Sequence, residues 1–179
     1  MAAIDGWDSL AYTLLAQRLS SGGSAQLTIT AASMAPLLLP GDRVLLAKAP
    51  VPALCVGDLV ALAASPRPIV HRLVAAPRRK GRRLLVTKGD AAISYDRQFP
   101  PEAFLGHVVS VQRGDKTLML AARIARWGAC ILAYLSCLCV RAAHLPCHSS
   151  RRITLFLLSR TMVIVAGVVW RTCQRAQVY

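Results

Sequence analysis

Ser33 closes an extended stretch, Thr28-Ile29-Thr30-Ala31-Ala32, and is trailed by Pro36 and by a Pro40-Gly41-Asp42 turn. A serine hydroxyl is a weak nucleophile at neutral pH and needs a base within hydrogen-bond reach. It also needs N–H donors aimed at the oxyanion that forms when it attacks a carbonyl. A serine just past a strand end meets both demands, because it is held rigidly and its own N–H can serve the oxyanion. The prolines and the Gly-Asp turn limit how far it can wander. The candidate base is His71, inside the apolar run Ile69-Val70-His71-Arg72-Leu73-Val74. Imidazole titrates near neutrality and can take the serine proton. A third group should orient the ring. Asp90, in Thr87-Lys88-Gly89-Asp90, and Asp96, in Ser94-Tyr95-Asp96, are the nearest carboxylates in sequence.

These residues need a scaffold, and the hydrophobic pattern between Ala25 and about Arg113 predicts short strands over 26–31, 43–48, 58–63, 68–75, 83–87 and 106–112. Val, Ile and Leu dominate them, while Pro, Gly and Asp punctuate between, as in a small β unit with long loops. The basic run Arg78-Arg79-Lys80-Gly81-Arg82-Arg83 belongs at a hairpin tip. Ahead of this unit, Trp7, Leu10, Leu14 and Arg18 recur at helical spacing, and Ser20-Ser21-Gly22-Gly23-Ser24 ends that helix. Three regions follow: a helix and linker over 1–24, a β domain over 25–115 and a helical tail over 116–179. The fold class expected is mainly β.

The charge is unevenly spread along the 179 residues. The net charge is +14, yet residues 116–179 carry nine basic side chains and neither Asp nor Glu. Mean hydropathy is +0.46. A tail both apolar and purely basic points to anionic lipid as a partner. Aromatic residues are only 6% of the chain, and no zinc-finger, helix-turn-helix or aromatic-rich RNA-binding pattern occurs, so no nucleic-acid partner is expected. The uncharged runs 127–140 and 161–170 are each shorter than the about 20 residues that a membrane-spanning helix needs. Two readings stand: a pair of marginal spans extended past Arg141 and Arg160, or helices lying in the interface or packed on the core. Asp5 and Asp8 argue against a secretory signal at the N-terminus. The six cysteines show no disulfide framework. Cys137-x-Cys139, His144, Cys147 and His148 are soft ligands without a zinc-site spacing.

The order Ser33-Met34-x-Pro36, Gly41-Asp42-x-Val44, Gly57-Asp58-Leu59-Val60, Val70-His71-Arg72, Thr87-Lys88-Gly89-Asp90, Asp96 and Leu105-Gly106-x-Val108 resembles the type I signal peptidase family over roughly residues 25–113. The resemblance is to its endoplasmic-reticulum and archaeal branch, where histidine stands in place of the bacterial lysine base. It implies a coiled β-sheet core with a shallow groove, Ser33 as nucleophile, His71 as base and Asp96 as the acid that orients it. Asp90 becomes a structural acid that holds the loop. Ser94 belongs to a Ser-x-Asp box ending at Asp96. Lys88 is expected to pair with Asp90, the rival role being a lysine base of the bacterial kind. The substrate would be a signal or leader peptide, or a preprotein, lying extended along Gln26, Thr28, Thr30, Ala32 and Met34 and cut after small residues. No metal and no cofactor are required. Two features depart from the family pattern: none of the 32 residues before Ser33 forms an apolar span, and Ala32 stands where glycine or proline is common. Membrane association through the tail is therefore expected. The rival function is a basic membrane-binding protein that keeps this fold without catalysis.

Overall fold

A computed structural model describes residues 5–64, 67–120, 123–143 and 148–175. Helix α1 (Asp5–Ser20) leads into strands β1 (Ser24–Thr28), β2 (Arg43–Ala47), β3 (Leu59–Leu62), β4 (Ile69–Ala75), β5 (Arg78–Arg79), β6 (Arg82–Arg83), β7 (Val86–Lys88), β8 (Phe104–Arg113) and β9 (Lys116–Met119). Two long helices follow, α2 (Arg123–Ala143) and α3 (His148–Arg175). Three helices accompany the antiparallel sheet, so the architecture is mixed α and β, and a mainly β description fits it only loosely.

The main sheet is antiparallel, in the order β1-β2-β8-β3-β4-β7. Its organiser is β8, whose ten residues pair with β2 along one edge and with β3 and β9 in succession along the other. Register shifts at Leu45/Leu46, Ala61/Leu62 and Leu73/Ala75 bend the sheet, as bulges do by adding twist. Because all four residues of β3 are buried, alternate side chains enter two different cores. Leu59 and Ala61 join Val44, Leu46 and Val108 on one face. Val60 and Leu62 join Leu73, Phe99 and Phe104 on the other.

The expected strand over 83–87 is broken in two. Arg82–Arg83 closes the small β5–β6 hairpin, Leu85 bridges to Phe99, and β7 starts at Val86. At the hairpin tip Lys80 and Gly81 both take positive φ, 48° and 76°, which a tight two-residue hairpin turn requires.

Helix α1 sits against β1 and β8, and its buried face lies one residue further on than the periodicity suggested. Leu15, Ala16 and Leu19 pack on the core, whereas Leu14 is 55% exposed. Trp7 and Leu10 lie in α1 ahead of the side chains that are described.

The described residues of the C-terminal third join the sheet and its core. β9 extends the sheet past residue 115. Helices α2 and α3 pack on each other, and Leu132, Cys139, Met162 and Ala166 enter the same core as Val44 and Val108. Gly57, with φ +102°, lets the α2 backbone come close: a Cβ there would stand 3.0 Å from both the Ala129 carbonyl carbon and the Cys130 nitrogen. Among the described residues no helix is long and apolar enough to cross a membrane. The outer face of α3 still exposes Phe156, Leu157, Val163, Ile164 and Val168, each by more than half.

Candidate active site

Ser33 sits in a single 3-10 turn, Ala32–Met34, between β1 and β2. Met34 is sunk into the core and holds the turn down, while Ser33 stays partly open. The Ala35–Pro36 peptide bond is cis. The following turn is pinned by Asp42, which accepts the Leu39 N–H at 2.8 Å and a fork from Arg113, Nε at 2.8 Å and Nη2 at 2.6 Å. Arg113 Nη2 also donates to the Leu37 carbonyl at 2.9 Å. β8 thus clamps the segment that carries Ser33.

The histidine arrives from β4. His71 Nε2 lies 3.1 Å from Ser33 Oγ, and its Nδ1 lies 2.6 Å from Asp96 Oδ2. With the ring proton on Nδ1, His71 donates to the carboxylate and leaves Nε2 free to accept from the serine hydroxyl. Asp96 is fixed in turn by its backbone N–H, which donates to the Thr87 carbonyl, and by Thr87 Oγ1, which donates to Oδ2 at 2.7 Å. Three side chains separated by 38 and 25 positions therefore meet in one hydrogen-bonded line. Of the two candidate carboxylates, Asp96 is the one that reaches His71.

Gly89 makes this convergence possible. A Cβ there would lie 2.7 Å from the Ser33 carbonyl oxygen, 3.2 Å from Ser33 Cβ and 3.3 Å from His71 Nε2. Only a residue without a side chain fits between Ser33 and His71. The same loop holds Ser33 through its backbone, the Ala91 N–H donating to the Ser33 carbonyl at 2.9 Å.

Arg72 follows His71 in β4 and points to the other face of the sheet, as strand alternation demands. Its Nε and Nη2 fork onto Asp90 at 2.7 and 2.6 Å, and Nη1 donates to the Gly57 carbonyl at 2.9 Å. Neither side chain of the pair is exposed. Asp90 is thus the loop-holding acid, and its partner is Arg72 rather than Lys88. The Lys88 ammonium donates instead to the Gly89 carbonyl at 3.0 Å and to Ser136 Oγ of α2 at 2.5 Å. The physical reason is register: Arg72 and Lys88 lie opposite each other on β4 and β7, and the fork of arginine matches a carboxylate better than a point ammonium does. Burial pushes the Lys88 pKa down; the Asp90 charge, then the Cys139 and Cys137 thiols, act against that, and the Arg72 charge adds to it.

A cavity of about 100 Å³ adjoins Ser33 and His71, walled by residues 27–31 on one side and 68–70 on the other, with Met34 among its lining. Of the residues expected along the substrate, Thr28, Thr30 and Met34 line this cavity. Gln26 and Ala32 do not: Gln26 is exposed on β1 and Ala32 is exposed at the head of the serine turn. Leu27, Ile29 and Ala31, with Pro68, Ile69 and Val70, complete the wall. Ser94 is exposed in the loop, and Thr87 occupies the supporting role beside Asp96. Neither Thr87 nor Arg72 was singled out from the sequence for its partner. Their proximity to His71 and Asp96 in the chain was the available signal.

Cys139 is buried, 3.9 Å from Met162 Sδ, and burial pushes its thiol pKa up. Among the described residues no group of three or more His, Cys, Asp or Glu side chains is placed to hold a metal ion. His144 and Cys147 lie outside the described residues, as does the side chain of His148.

No protein-family model matches this sequence, and no curated protein sequence matches it.

Proposed function

We propose that this chain is a serine endopeptidase resembling type I signal peptidases, cutting a signal or leader peptide after small residues. The observation that carries the reading is the continuous Ser33–His71–Asp96 line, with Ser33 Oγ at 3.1 Å from His71 Nε2, within direct proton-transfer reach. Ser33 Oγ attacks the scissile carbonyl as His71 Nε2 takes its proton, and the Ser33 N–H is the proposed donor to the developing oxyanion. The tetrahedral adduct collapses when His71 returns the proton to the leaving amine. Water, deprotonated by the same imidazole, then hydrolyses the acyl-enzyme, and Asp96 holds the ring in one tautomer and orientation throughout. β1 is an edge strand of the sheet, and an extended peptide can add to such an edge through backbone hydrogen bonds. The cavity beside Ser33 and His71 is where the side chain before the cut would sit, and the preference for small residues there is what the family resemblance implies.

Anionic lipid is the second partner in this reading. The apolar stripe Phe156, Leu157, Val163, Ile164 and Val168 on α3 belongs to a segment without a single acidic residue. Such a helix lies in the headgroup region with its basic residues toward phosphate. The same stripe is the observation favouring the alternative, a membrane-binding protein without catalysis.

The test is cleavage of a peptide with alanines before the cut by purified protein, compared with Ser33→Ala. Loss of activity to background in the variant supports the peptidase. Equal rates refute it. Flotation with phosphatidylglycerol vesicles, together with failure of Ser33 to react with an acylating probe, would favour the alternative.

A further inference from the structure

We infer that helix α2 is part of the catalytic scaffold, and that Ser136 and Cys137 are positioning residues which hold the 88–96 loop from both ends. The inference rests on the proposed peptidase reading for its chemistry and on the hydrogen bonds of that loop for its geometry.

The loop carries two groups on which the Ser33–His71–Asp96 line depends. Near its start, Gly89 separates Ser33 from His71, where a Cβ would lie 2.7 Å from the Ser33 carbonyl oxygen. At its end, Asp96 Oδ2 accepts from the His71 ring at 2.6 Å. Each end is tied to α2, which also packs on β4, the strand that carries His71. At the start, the Lys88 ammonium donates to the Gly89 carbonyl at 3.0 Å and to Ser136 Oγ at 2.5 Å. At the end, Tyr95, the neighbour of Asp96, shares a hydrogen bond with the Cys137 thiol; burial first, and that bond next, raise the Tyr95 pKa from the ordinary 10.0. Successive residues of a helix point about 100° apart. One turn of α2 therefore reaches the buried Lys88 with Ser136 and the more exposed Tyr95 with Cys137.

Lys88 argues for more than packing. Neither it nor Ser136 is exposed, and the fork of Arg72 occupies the nearby Asp90 carboxylate. The ammonium bonds to a carbonyl and a hydroxyl instead. Burying a charge on neutral partners is costly, and an apolar side chain of similar length would fill the space without that cost. What the ammonium adds is a link between Gly89 and α2, and that link sets the Gly89 peptide against Ser33.

The test compares the wild type with Ser136→Ala, which cuts the tie at the start of the loop, and Tyr95→Phe, which cuts the one at its end. Peptide cleavage, thermal melts and the ring-nitrogen resonances of His71 in a histidine-labelled full chain are read on each. Losing one hydrogen bond is expected to lower kcat about fivefold in either variant, with KM unchanged and the His71 resonances moved. An unchanged kcat, or His71 resonances that stay in place while the melting temperature falls, would overturn the inference, since packing alone would then explain both contacts. Tyr95 lies at the surface, so its variant keeps the test open should Ser136→Ala fail to fold. A wild type without Ser33-dependent cleavage would end the peptidase reading by itself. The His71 resonances would still decide whether α2 sets the geometry of that imidazole: moved, they support it, and unmoved, they overturn it.

Discussion

His71 and Arg72 are neighbours on β4, yet each is bound into a different network on a different face of the sheet. His71 joins Ser33 and Asp96, and Arg72 holds Asp90 and the Gly57 carbonyl. The two networks meet again in the 88–96 loop, which supplies both carboxylates. One face performs the proposed chemistry, and the other holds the loop in place.

Asp96→Asn keeps the shape of the side chain but loses the charge that fixes the His71 tautomer. The expected loss in kcat is about 10³-fold or more, with the melting temperature little changed. Thr87→Val, which removes one hydrogen bond to Asp96, should cost about tenfold. Peptide-cleavage kinetics beside thermal melts check both. A Thr87→Val effect equal to that of Asp96→Asn would mean that Thr87 does more than position the carboxylate.

Gly89→Ala places a methyl group 2.7 Å from the Ser33 carbonyl oxygen, so the serine turn or the loop must shift. Displacement of a reacting group by about 1 Å can cost about 10²-fold. We expect kcat/KM to fall by that order while the chain still folds, as read by circular dichroism. An unimpaired Gly89→Ala variant would show that the close approach is not needed.

Breaking the Arg72–Asp90 pair strands a buried charge. Arg72→Met alone should destabilise the fold by about 3–5 kcal/mol, and the double variant Arg72→Met/Asp90→Leu by clearly less. Urea unfolding of the single and double variants measures this coupling. Simple additivity of Arg72→Met and Asp90→Leu would contradict it.

Lys88 predicts a pH dependence of stability. Burial lowers its folded pKa from the ordinary 10.5. Between those two values the unfolded chain binds more protons than the folded one, so this group makes stability rise with pH across that window. Below the folded pKa its penalty is present in full. Lys88→Met removes the ionisable group, so wild-type stability relative to Lys88→Met should increase as pH climbs toward 10.5. Denaturant melts at several alkaline pH values test this, and a difference that stays flat or shrinks would count against it.

Much of the proposed site was legible along the chain because its parts obey local rules. A serine after an extended run and a histidine inside an apolar strand are visible at short range, whereas the choice of Asp96 over Asp90 came from the family resemblance. The partners were less so. Asp90 looks as close to Lys88 as to anything, and only the β4–β7 register, which sets Arg72 opposite Lys88, shows which cation takes the carboxylate. Thr87 gives no local sign that it will face Asp96. On α1, Leu14 fits the helical period, but the sheet receives Leu15 and Leu19.

By itself, the sequence determined the strand-rich middle, the rigid turns around Ser33, the order of hydroxyl, imidazole and carboxylate, and the acid-free, apolar C-terminal third. Those properties are written in residue type and short-range periodicity. Tertiary structure alone decided that α2 and α3 share the core of the sheet, that Gly89 rather than a larger residue separates Ser33 from His71, and that Asp90 pairs with Arg72. The reason is that such outcomes depend on which faces meet across tens of residues. Close packing and the pairing of buried charge choose among faces that local pattern leaves equivalent.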